Sequence, residues 1–521
     1  MSYLIGDIAL ASADRFPDKP AIAFKNQELN YASLEQKITA IAGGLSALGM
    51  HRGDRVGVYL GKTLDTVSCL FGVARGGGVF IPINPIFKGE QVQHIVNDSG
   101  AKILITSPER LLAMEDKLHA CTHLEHLILT KAIDMDGLRQ NCLTLEQLPH
   151  SDQSPPRVIS ADMAAILYTS GSTGKPKGVV LSHANMVAGA KSVAQYLENN
   201  SSDRILSVLP LSFDYGFSQL STAFYVGGCA VLLDYLLPRD VLRAAAKYTI
   251  TGLAAVPPLW IQLAQLPWPE QAVQSLRYIT NSGGAMPKAT LSALRDTLPQ
   301  TKIFLMYGLT EAFRSTYLPP DQLDRRPESM GKAIPDAEVL VVRPDGGPCD
   351  DDEPGELIHR GALVSLGYWN DPERTAERFK PAPMQTGGIC RQEIAVWSGD
   401  TVKRDAEGYL YFVGRHDDMI KTSGYRVSPT EIEEVIYTAA GIKEAVALGI
   451  SHPILGQAIV VVAVSDGADK DSLIKHCKFH LPSYMIPAHI EWMDKLPRNP
   501  NGKIDRKSLA NALAALFENT A

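Results

Sequence analysis

The sequence predicts an α/β protein of more than one unit. A large N-terminal part of parallel-type sheets with helices comes first, then a small antiparallel β unit, then a small α+β part at the C-terminus. Three observations predict it. The chain has 521 residues, too many for one ordinary core. Up to about residue 306, helical-period apolar patterns alternate with short apolar runs, as in parallel strands joined by crossover helices. From about residue 330 the pattern changes to strands and turns.

The elements follow in order. Residues 34–48 carry apolar residues at helical spacing and stop at Gly49. Strand 55–60, helix 64–74, strand 78–83, helix 90–98 and strand 102–106 come next. The stretch 151–156 is a polar, Pro-containing linker. The apolar run 164–167 reads as a buried strand that feeds a Gly-rich loop, with a helix over 184–197 behind it. Strands then fall at 204–208, 229–233, 252–256, 276–280 and 302–306. Helices fall at 217–226, 238–248, 258–266 and 288–298. Strands 338–342, 355–359, 393–398, 401–404 and 409–413 form the antiparallel unit, with a hairpin turn at 405–408. A charged junction, 415–418, precedes helix 429–439, strands 444–451 and 458–464, helix 470–480 and strand 488–492.

Bulk properties exclude several classes. Net charge is -7 with the signs interspersed, which excludes a general nucleic-acid binder with a basic face. The cysteines (Cys69, Cys121, Cys142, Cys229, Cys349, Cys390 and Cys477) are scattered, and none has CxxC spacing. Reduced thiols in a cytoplasmic protein are expected, and no zinc site. The N-terminus carries Asp7, Asp14 and Arg15 and has no basic leader region, so no signal peptide is expected. The most apolar run, 66–81, is interrupted by Arg75 and the triplet Gly76-Gly77-Gly78, so no integral membrane segment is expected.

The stretch Tyr168-Thr169-Ser170-Gly171-Ser172-Thr173-Gly174-Lys175-Pro176-Lys177-Gly178 organises the chemistry. Its glycines let the backbone bend and approach a ligand closely. Its hydroxyls donate, and Lys175 and Lys177 add positive charge, which together suit a polyphosphate. It lacks Walker A spacing. A flexible surface loop is the plain alternative.

Five clusters follow it. Tyr307-Gly308-Leu309-Thr310-Glu311-Ala312 ends a buried strand; its ring can stack on a base and Glu311 can hold a hard cation. Ser282-Gly283-Gly284-Ala285 ends another. In Ser398-Gly399-Asp400 the carboxylate can accept both hydroxyls of a ribose. Gly414-Arg415-His416-Asp417-Asp418-Met419-Ile420-Lys421 lies on the junction, and Pro500-Asn501-Gly502-Lys503-Ile504-Asp505 puts a lysine on a Gly turn. Singly, a Tyr is ordinarily core, and an exposed Asp or Lys ordinarily solvated.

Together and in this order, the clusters resemble the AMP-forming acyl-, aryl- and aminoacyl-activating ligases: acyl-CoA synthetases, stand-alone adenylation domains and luciferases. The resemblance covers essentially the whole chain. The run 260–317 looks most like the acyl-CoA ligases associated with bacterial exosortase systems. The resemblance implies an adenylation (AMP-binding) domain over residues 1–415, β-rich from about 330, and a small mobile C-terminal domain over 416–521. It implies ATP, Mg²⁺ and CoA, or the phosphopantetheine of a carrier protein, as cofactors, and a small carboxylic acid as substrate.

The resemblance also implies roles. Thr169, Ser170, Gly171, Ser172, Thr173, Gly174 and Lys177 would hold the β- and γ-phosphates. Gly283, Gly284 and Ala285 would wall the adenine, with Tyr307 stacked on it beside Gly308. Thr310 would contact the phosphate or the nascent adenylate, and Glu311 the Mg²⁺. Asp400, assisted by Arg415, would bind the ribose. Lys503 would bridge the substrate carboxylate and the α-phosphate. Asp417 matches the hinge about which the small domain turns, and Gly424 the wall of the thiol tunnel.

The acid pocket departs from the commonest acyl-CoA synthetase pattern. Where that pattern has a His, this chain has Phe213, in Pro210-Leu211-Ser212-Phe213-Asp214-Tyr215-Gly216. Phe213-Asp214 resembles the amino-acid-activating branch, in which the Asp pairs with the substrate's ammonium group. A buried carboxylate needs a cationic or donor partner. Either a substrate amine or Arg314 can supply it, and the acid is expected to carry a polar or amino group. The rivals are a stand-alone enzyme that loads an amino or polar acid on an acyl carrier protein, a non-catalytic scaffold on the same fold, and a luciferase-type oxygenase.

Overall fold

The computed structural model describes residues 4–133, 140–150, 156–169, 176–383, 388, 392–415, 419–422, 425–452, 455–481, 483–500 and 502–517, with the main chain alone at 415, 421, 425 and 426. Two large sheets carry the N-terminal part. One has nine strands, and its centre is the parallel set Lys302–Tyr307, Tyr278–Asn281, Gly252–Ala255, Arg204–Ser207, Cys229–Leu232 and Pro20–Phe24. The other has eight, with Val79–Pro82, Arg55–Tyr59, Ile103–Thr106, His126–Leu129 and Asn141–Thr144 parallel. Both close on antiparallel edges, so the sheets are mixed rather than purely parallel.

The helix Leu64–Arg75 is buried at Leu64 and from Thr66 to Ala74, so it is a core element rather than a surface one. Phe71 stacks on Phe217 of the Asp214–Val226 helix at 5.6 Å, and Phe217 in turn on Phe80 of the second sheet at 5.3 Å. This aromatic column ties the helix that begins at Asp214 to both layers.

Three sequence expectations need correcting. The Gly-rich loop does not join a strand to a helix. It joins two antiparallel strands, Met163–Thr169 and Lys177–Ser182, in register from Met163↔Ser182 to Thr169↔Lys177. The helix behind it starts only at His183, capped by Ser182 Oγ, which accepts from Asn185 N at 3.1 Å. The expected strands at 393–398 and 401–404 are one strand, Ile394–Arg404. Gly399, at φ +70°, carries the chain through it without a break. The N-terminal pair Pro20–Phe24 and Gln27–Asn30 was not expected from the pattern at all.

The antiparallel unit orders Ala337–Val342, Gly355–Gly361, Ile394–Arg404 and Phe379–Pro381, with Leu410–Arg415 on the free side of the long strand. In the C-terminal part Ile442–His452 and Gly456–Ser465 pair antiparallel, and His489–Trp492 runs parallel to the second. Helices Pro429–Tyr437 and Lys470–His480 cover one face through Ile432, Ile436, Leu473 and Cys477. Arg506–Ala512 covers the other through Leu509. Asn84 Nδ2 donates to Pro500 O at 2.9 Å, which docks the C-terminal turn on the large part. Among the described residues no helix is long and apolar enough to cross a membrane, and no disulfide is formed.

Candidate active site

Both parts of the chain contribute to one cleft of ≈ 2310 Å³. Its size fits an interdomain site rather than a pocket for one small molecule. Thr169 and Lys177 reach it from the two strands of the hairpin. Gly283, Gly284 and Ala285 reach it from the end of Tyr278–Asn281, and Tyr307, Gly308, Thr310 and Glu311 from the end of Lys302–Tyr307. Strand ends at one edge of an α/β sheet are where such folds place ligands.

Lys177 Nζ lies 3.2 Å from Glu311 Oε1. Tyr368 joins them: its hydroxyl donates to Glu311 Oε1 at 2.5 Å and accepts from Lys177 Nζ at 2.9 Å. Burial pushes the Glu311 carboxyl up, but Lys177 and the Tyr368 hydroxyl outweigh it, so its pKa is lowered. Burial moves Lys177 down, against the pull of Glu311. Glu311 is thus an ionised oxygen ligand in a dry setting, which fits a hard cation. No group of three or more metal-ligating side chains occurs among the described residues. That fits Mg²⁺ held by one carboxylate together with phosphate oxygens. Thr169 Oγ1 and Asn281 Oδ1 are buried on the same cleft and have no protein partner among the described residues. A nucleotide with its many polar atoms fits these orphaned groups.

Tyr307 donates its hydroxyl to Asp400 Oδ2. Asp400 is 4% exposed and pairs main chain to main chain with Arg415. The bond fixes the Tyr307 ring at the cleft wall beside the expected ribose site.

At the expected acid pocket, the structure shows which partner Asp214 has within the chain. Arg314 Nη1 lies 3.2 Å from Asp214 Oδ2, and the two side chains are 2% and 4% exposed. The internal pair, not a free carboxylate, is what stands here. Thr310 Oγ1 also donates to Asp214 Oδ1, at 3.3 Å. Burial raises the Asp214 carboxyl, and Arg314 and then Lys503 oppose it.

Lys503 completes the cleft from the C-terminal part. Its turn is closed by Asn499 N donating to Lys503 O at 2.7 Å and by Asn499 Oδ1 accepting from Lys503 N at 3.0 Å. Gly502, at φ +81°, makes the turn possible. Lys503 Nζ stands 5.6 Å from the centre of the Phe213 ring. A Cβ on Gly283 would meet Lys503 Cε at 3.0 Å, so the bare backbone there makes room for the lysine.

Of the expected residues, Ser170, Gly171, Ser172, Thr173, Gly174, Asp417 and Gly424 lie outside the described residues. Two others were not expected. Tyr368 sits in a two-residue edge strand and gives no signal beyond an aromatic after a glycine. Lys62 is buried, and its Nζ donates to the carbonyls of Ser207, Val208 and Leu233 at 3.2, 2.7 and 2.8 Å. It anchors the chain just ahead of Phe213 and Asp214, and burial pushes its pKa down to about 8. Tyr368→Phe is expected to lower the rate of pyrophosphate release about tenfold and to raise the Mg²⁺ concentration needed for half-maximal rate. A Mg²⁺ titration of both proteins checks it; unchanged curves would count against the trio. Because the Glu311 carboxyl is depressed, its contribution to stability is present at neutral pH and is lost as pH falls below the ordinary carboxylate range.

The comparisons agree with this geometry. The family description AMP-binding enzyme matches residues 10–369, and AMP-binding enzyme C-terminal domain matches 431–503. The chain is 30% identical to the long-chain-fatty-acid–CoA ligase of Salmonella typhimurium, over 98% of this chain and 94% of that one. ATP-bound MatB from Rhodopseudomonas palustris superposes with a TM-score of 0.87 at 25% identity, covering 99% of this chain and 100% of the other. The o-succinylbenzoate coenzyme A synthetase MenE from Bacillus subtilis, in complex with ATP and a magnesium ion, gives 0.81 at 25%, covering 96% and 99%. These likenesses carry the broad family and not the narrower exosortase-associated group. With both family regions matched in order and the cleft lying between them, the chain belongs to the AMP-binding enzymes, the adenylate-forming ligases.

Proposed function

We propose that the protein activates a small carboxylic acid with ATP to an acyl-adenylate, releases pyrophosphate, and passes the acyl group to the pantetheine thiol of CoA. One observation carries the reading. Lys503 of the C-terminal part stands at Gly283 and Phe213, in the cleft that also holds the Lys177–Glu311–Tyr368 trio and the Tyr307–Asp400 pair.

A free carboxylate is a poor acyl donor, because oxide is a bad leaving group. Its oxygen attacks the α-phosphorus of ATP. The new O–P bond forms as the α–β phosphoanhydride breaks and pyrophosphate leaves. Both reactants are anionic, and Lys503 offsets their repulsion as charge moves in the transition state. Glu311 would hold Mg²⁺, which when bound neutralises phosphate charge. Thr169 and Lys177 would face the outer phosphates, and the family resemblance gives the same task to Ser170, Gly171, Ser172, Thr173 and Gly174. Gly283, Gly284 and Ala285 line the adenine beside Tyr307 and Gly308, and Asp400 with Arg415 receives the ribose. Holding both reactants in one cleft supplies the proximity effect. In the second step thiol sulfur attacks the carbonyl carbon, AMP leaves, and the thiol proton goes to solvent.

The division into 1–415 and 416–521 belongs to this reading, and the two family matches support it. Asp417 would act as the hinge between half-reactions, and Gly424 would line the path of the thiol. The described cysteines form no disulfide and are mostly buried, which suits a cytoplasmic location. A carrier protein as acceptor is the second reading, because the phosphopantetheine thiol of a carrier is the same chemical group as the thiol of CoA.

The test measures pyrophosphate release over a panel of fatty, aryl, hydroxy and amino acids, then thioester formation with free CoA and with a pantetheinylated carrier protein. Acid-dependent pyrophosphate with thioester on CoA is expected. Pyrophosphate without acid dependence would overturn the ligase reading, and thioester on the carrier alone would establish the second reading.

A further inference from the structure

We propose that the acid carries a neutral hydrogen-bond acceptor on its acyl chain, a hydroxyl or carbonyl oxygen, and that Arg314 receives it. The inference rests on the ligase reading above and narrows its substrate.

A guanidinium offers five N–H donors and no acceptor. Arg314 is 2% exposed and lines the cleft. Its Nη1 donates to Asp214 Oδ2 at 3.2 Å and to Phe313 O at 3.1 Å. Nε and Nη2 have no hydrogen-bond partner among the described residues. Native interiors satisfy buried donors almost without exception, so a buried cation with donors left over calls for a partner from outside the fold. The polar neighbours cover only part of the need. Arg314 Cζ lies over the Tyr215 ring at 4.3 Å, and the Tyr215 hydroxyl is bonded to Thr280 Oγ1 at 2.5 Å. Tyr196 donates its hydroxyl to Met306 Sδ at 3.1 Å and can accept one hydrogen bond from Arg314, which leaves the other nitrogen unmet.

The guanidinium is also close to where the reacting carboxylate is proposed to lie. Thr310 bonds to the same Asp214, and the charge of Lys503 acts on that carboxylate. Charge then selects the kind of acceptor. Asp214 cancels Arg314, and the substrate carboxylate cancels Lys503. A second carboxylate or an ammonium group would bring an uncompensated charge into a dry site. A plain alkyl chain would cover the guanidinium and leave its donors unmet. A hydroxyl or carbonyl oxygen meets them with no net charge. Asp214 is engaged by Arg314 and Thr310, which favours the internal pair over an amino acid's ammonium group, the two partners that Phe213-Asp214 left open.

The experiment uses the full chain and pyrophosphate release with matched acids of four to ten carbons. Each alkyl acid is compared with its 2-, 3- and 4-hydroxy, keto, ω-amino and ω-carboxy counterparts. At least one hydroxy or keto acid is expected to exceed its alkyl parent in kcat/KM by about tenfold or more, since a site built to bond an oxygen discriminates strongly against its absence. The double variant Asp214→Leu/Arg314→Met removes both charges together, so neither is left buried and alone. It is expected to lose that preference or reverse it. Alkyl, amino or dicarboxylic acids turning over best in the wild type would overturn the inference, as would an unchanged preference in the double variant. Alkyl acids turning over best would leave the ligase reading standing, whereas no pyrophosphate with any acid would sink both.

Discussion

Lys503→Ala is expected to slow pyrophosphate release from acid and ATP by about 10²–10³-fold, the usual cost of removing one preorganised donor at a developing charge. Thiolysis of a supplied acyl-adenylate should change little. The separation follows from position. Lys503 is held by its own turn, Asn499 to Lys503, and the turn is docked by the Asn84–Pro500 bond. Its Nζ faces Phe213 in the part of the cleft where carboxylate and α-phosphate are proposed to meet. In the first half-reaction two anions must approach, and the lysine is the cation that the C-terminal part brings to them. In the second the thiol attacks a mixed anhydride, which is already a good electrophile. Lys503→Arg should recover only part of the rate, because a planar fork does not replace a compact ammonium ion against the bare backbone at Gly283. Steady-state release of pyrophosphate, and separately of AMP from the supplied adenylate, measures the two steps. Equal loss in both would mean that Lys503 holds the fold and not the transition state.

How much of this was legible in the sequence depends on how far apart the partners lie. The alternation of strand and helix was readable because each element carries its own apolar period. Helix Lys470–His480 falls where the pattern puts it. The strand Lys177–Ser182 was missed because a Lys-Gly start and a short apolar run look like the tail of a loop; its ladders to Met163–Thr169 and Gly367–Tyr368 make it a strand. The break expected within Ile394–Arg404 came from Ser398-Gly399, read as a turn, whereas neighbouring strands hold Gly399 in line.

The site shows the same division. Glu311 and Lys503 were found because fixed local motifs surround them, and both do line the cleft. Tyr368 was not, because its meaning comes from Lys177, 191 residues away. Lys62 looks like any lysine before a helix, and its three carbonyl acceptors lie 145 to 171 residues further on. Asp214 could be narrowed to two partners by chemistry alone. Choosing between them needed the 3.2 Å contact across 100 residues.

That contact sets the largest stability effect. Arg314→Met should cost about 3–5 kcal/mol, because it leaves the Asp214 carboxylate buried without its cation. Asp214→Leu/Arg314→Met should recover most of the loss, since two apolar side chains of similar volume replace a desolvated pair. Asp214 opens the helix that the Phe71–Phe217–Phe80 column locks into both sheets, so the core has little freedom to open and let water in. The pH dependence gives an independent check. Burial raises the Asp214 carboxyl above its ordinary value, and Arg314 is the first charge that opposes this. Without Arg314 the carboxyl moves further up. A group whose folded pKa is raised binds its proton more tightly folded than unfolded, so the stability it contributes is present at low pH and is lost as pH rises. The deficit of the single variant should therefore be small below the ordinary Asp value and widen as pH rises through the raised one. Urea unfolding followed by tryptophan fluorescence reports on the site, because Trp260 is fully buried and donates to Thr280 O, on the residue whose side chain bonds Tyr215. A single variant as stable as the double one at neutral pH, with no pH-dependent gap, would mean that Asp214 finds another partner once Arg314 is gone.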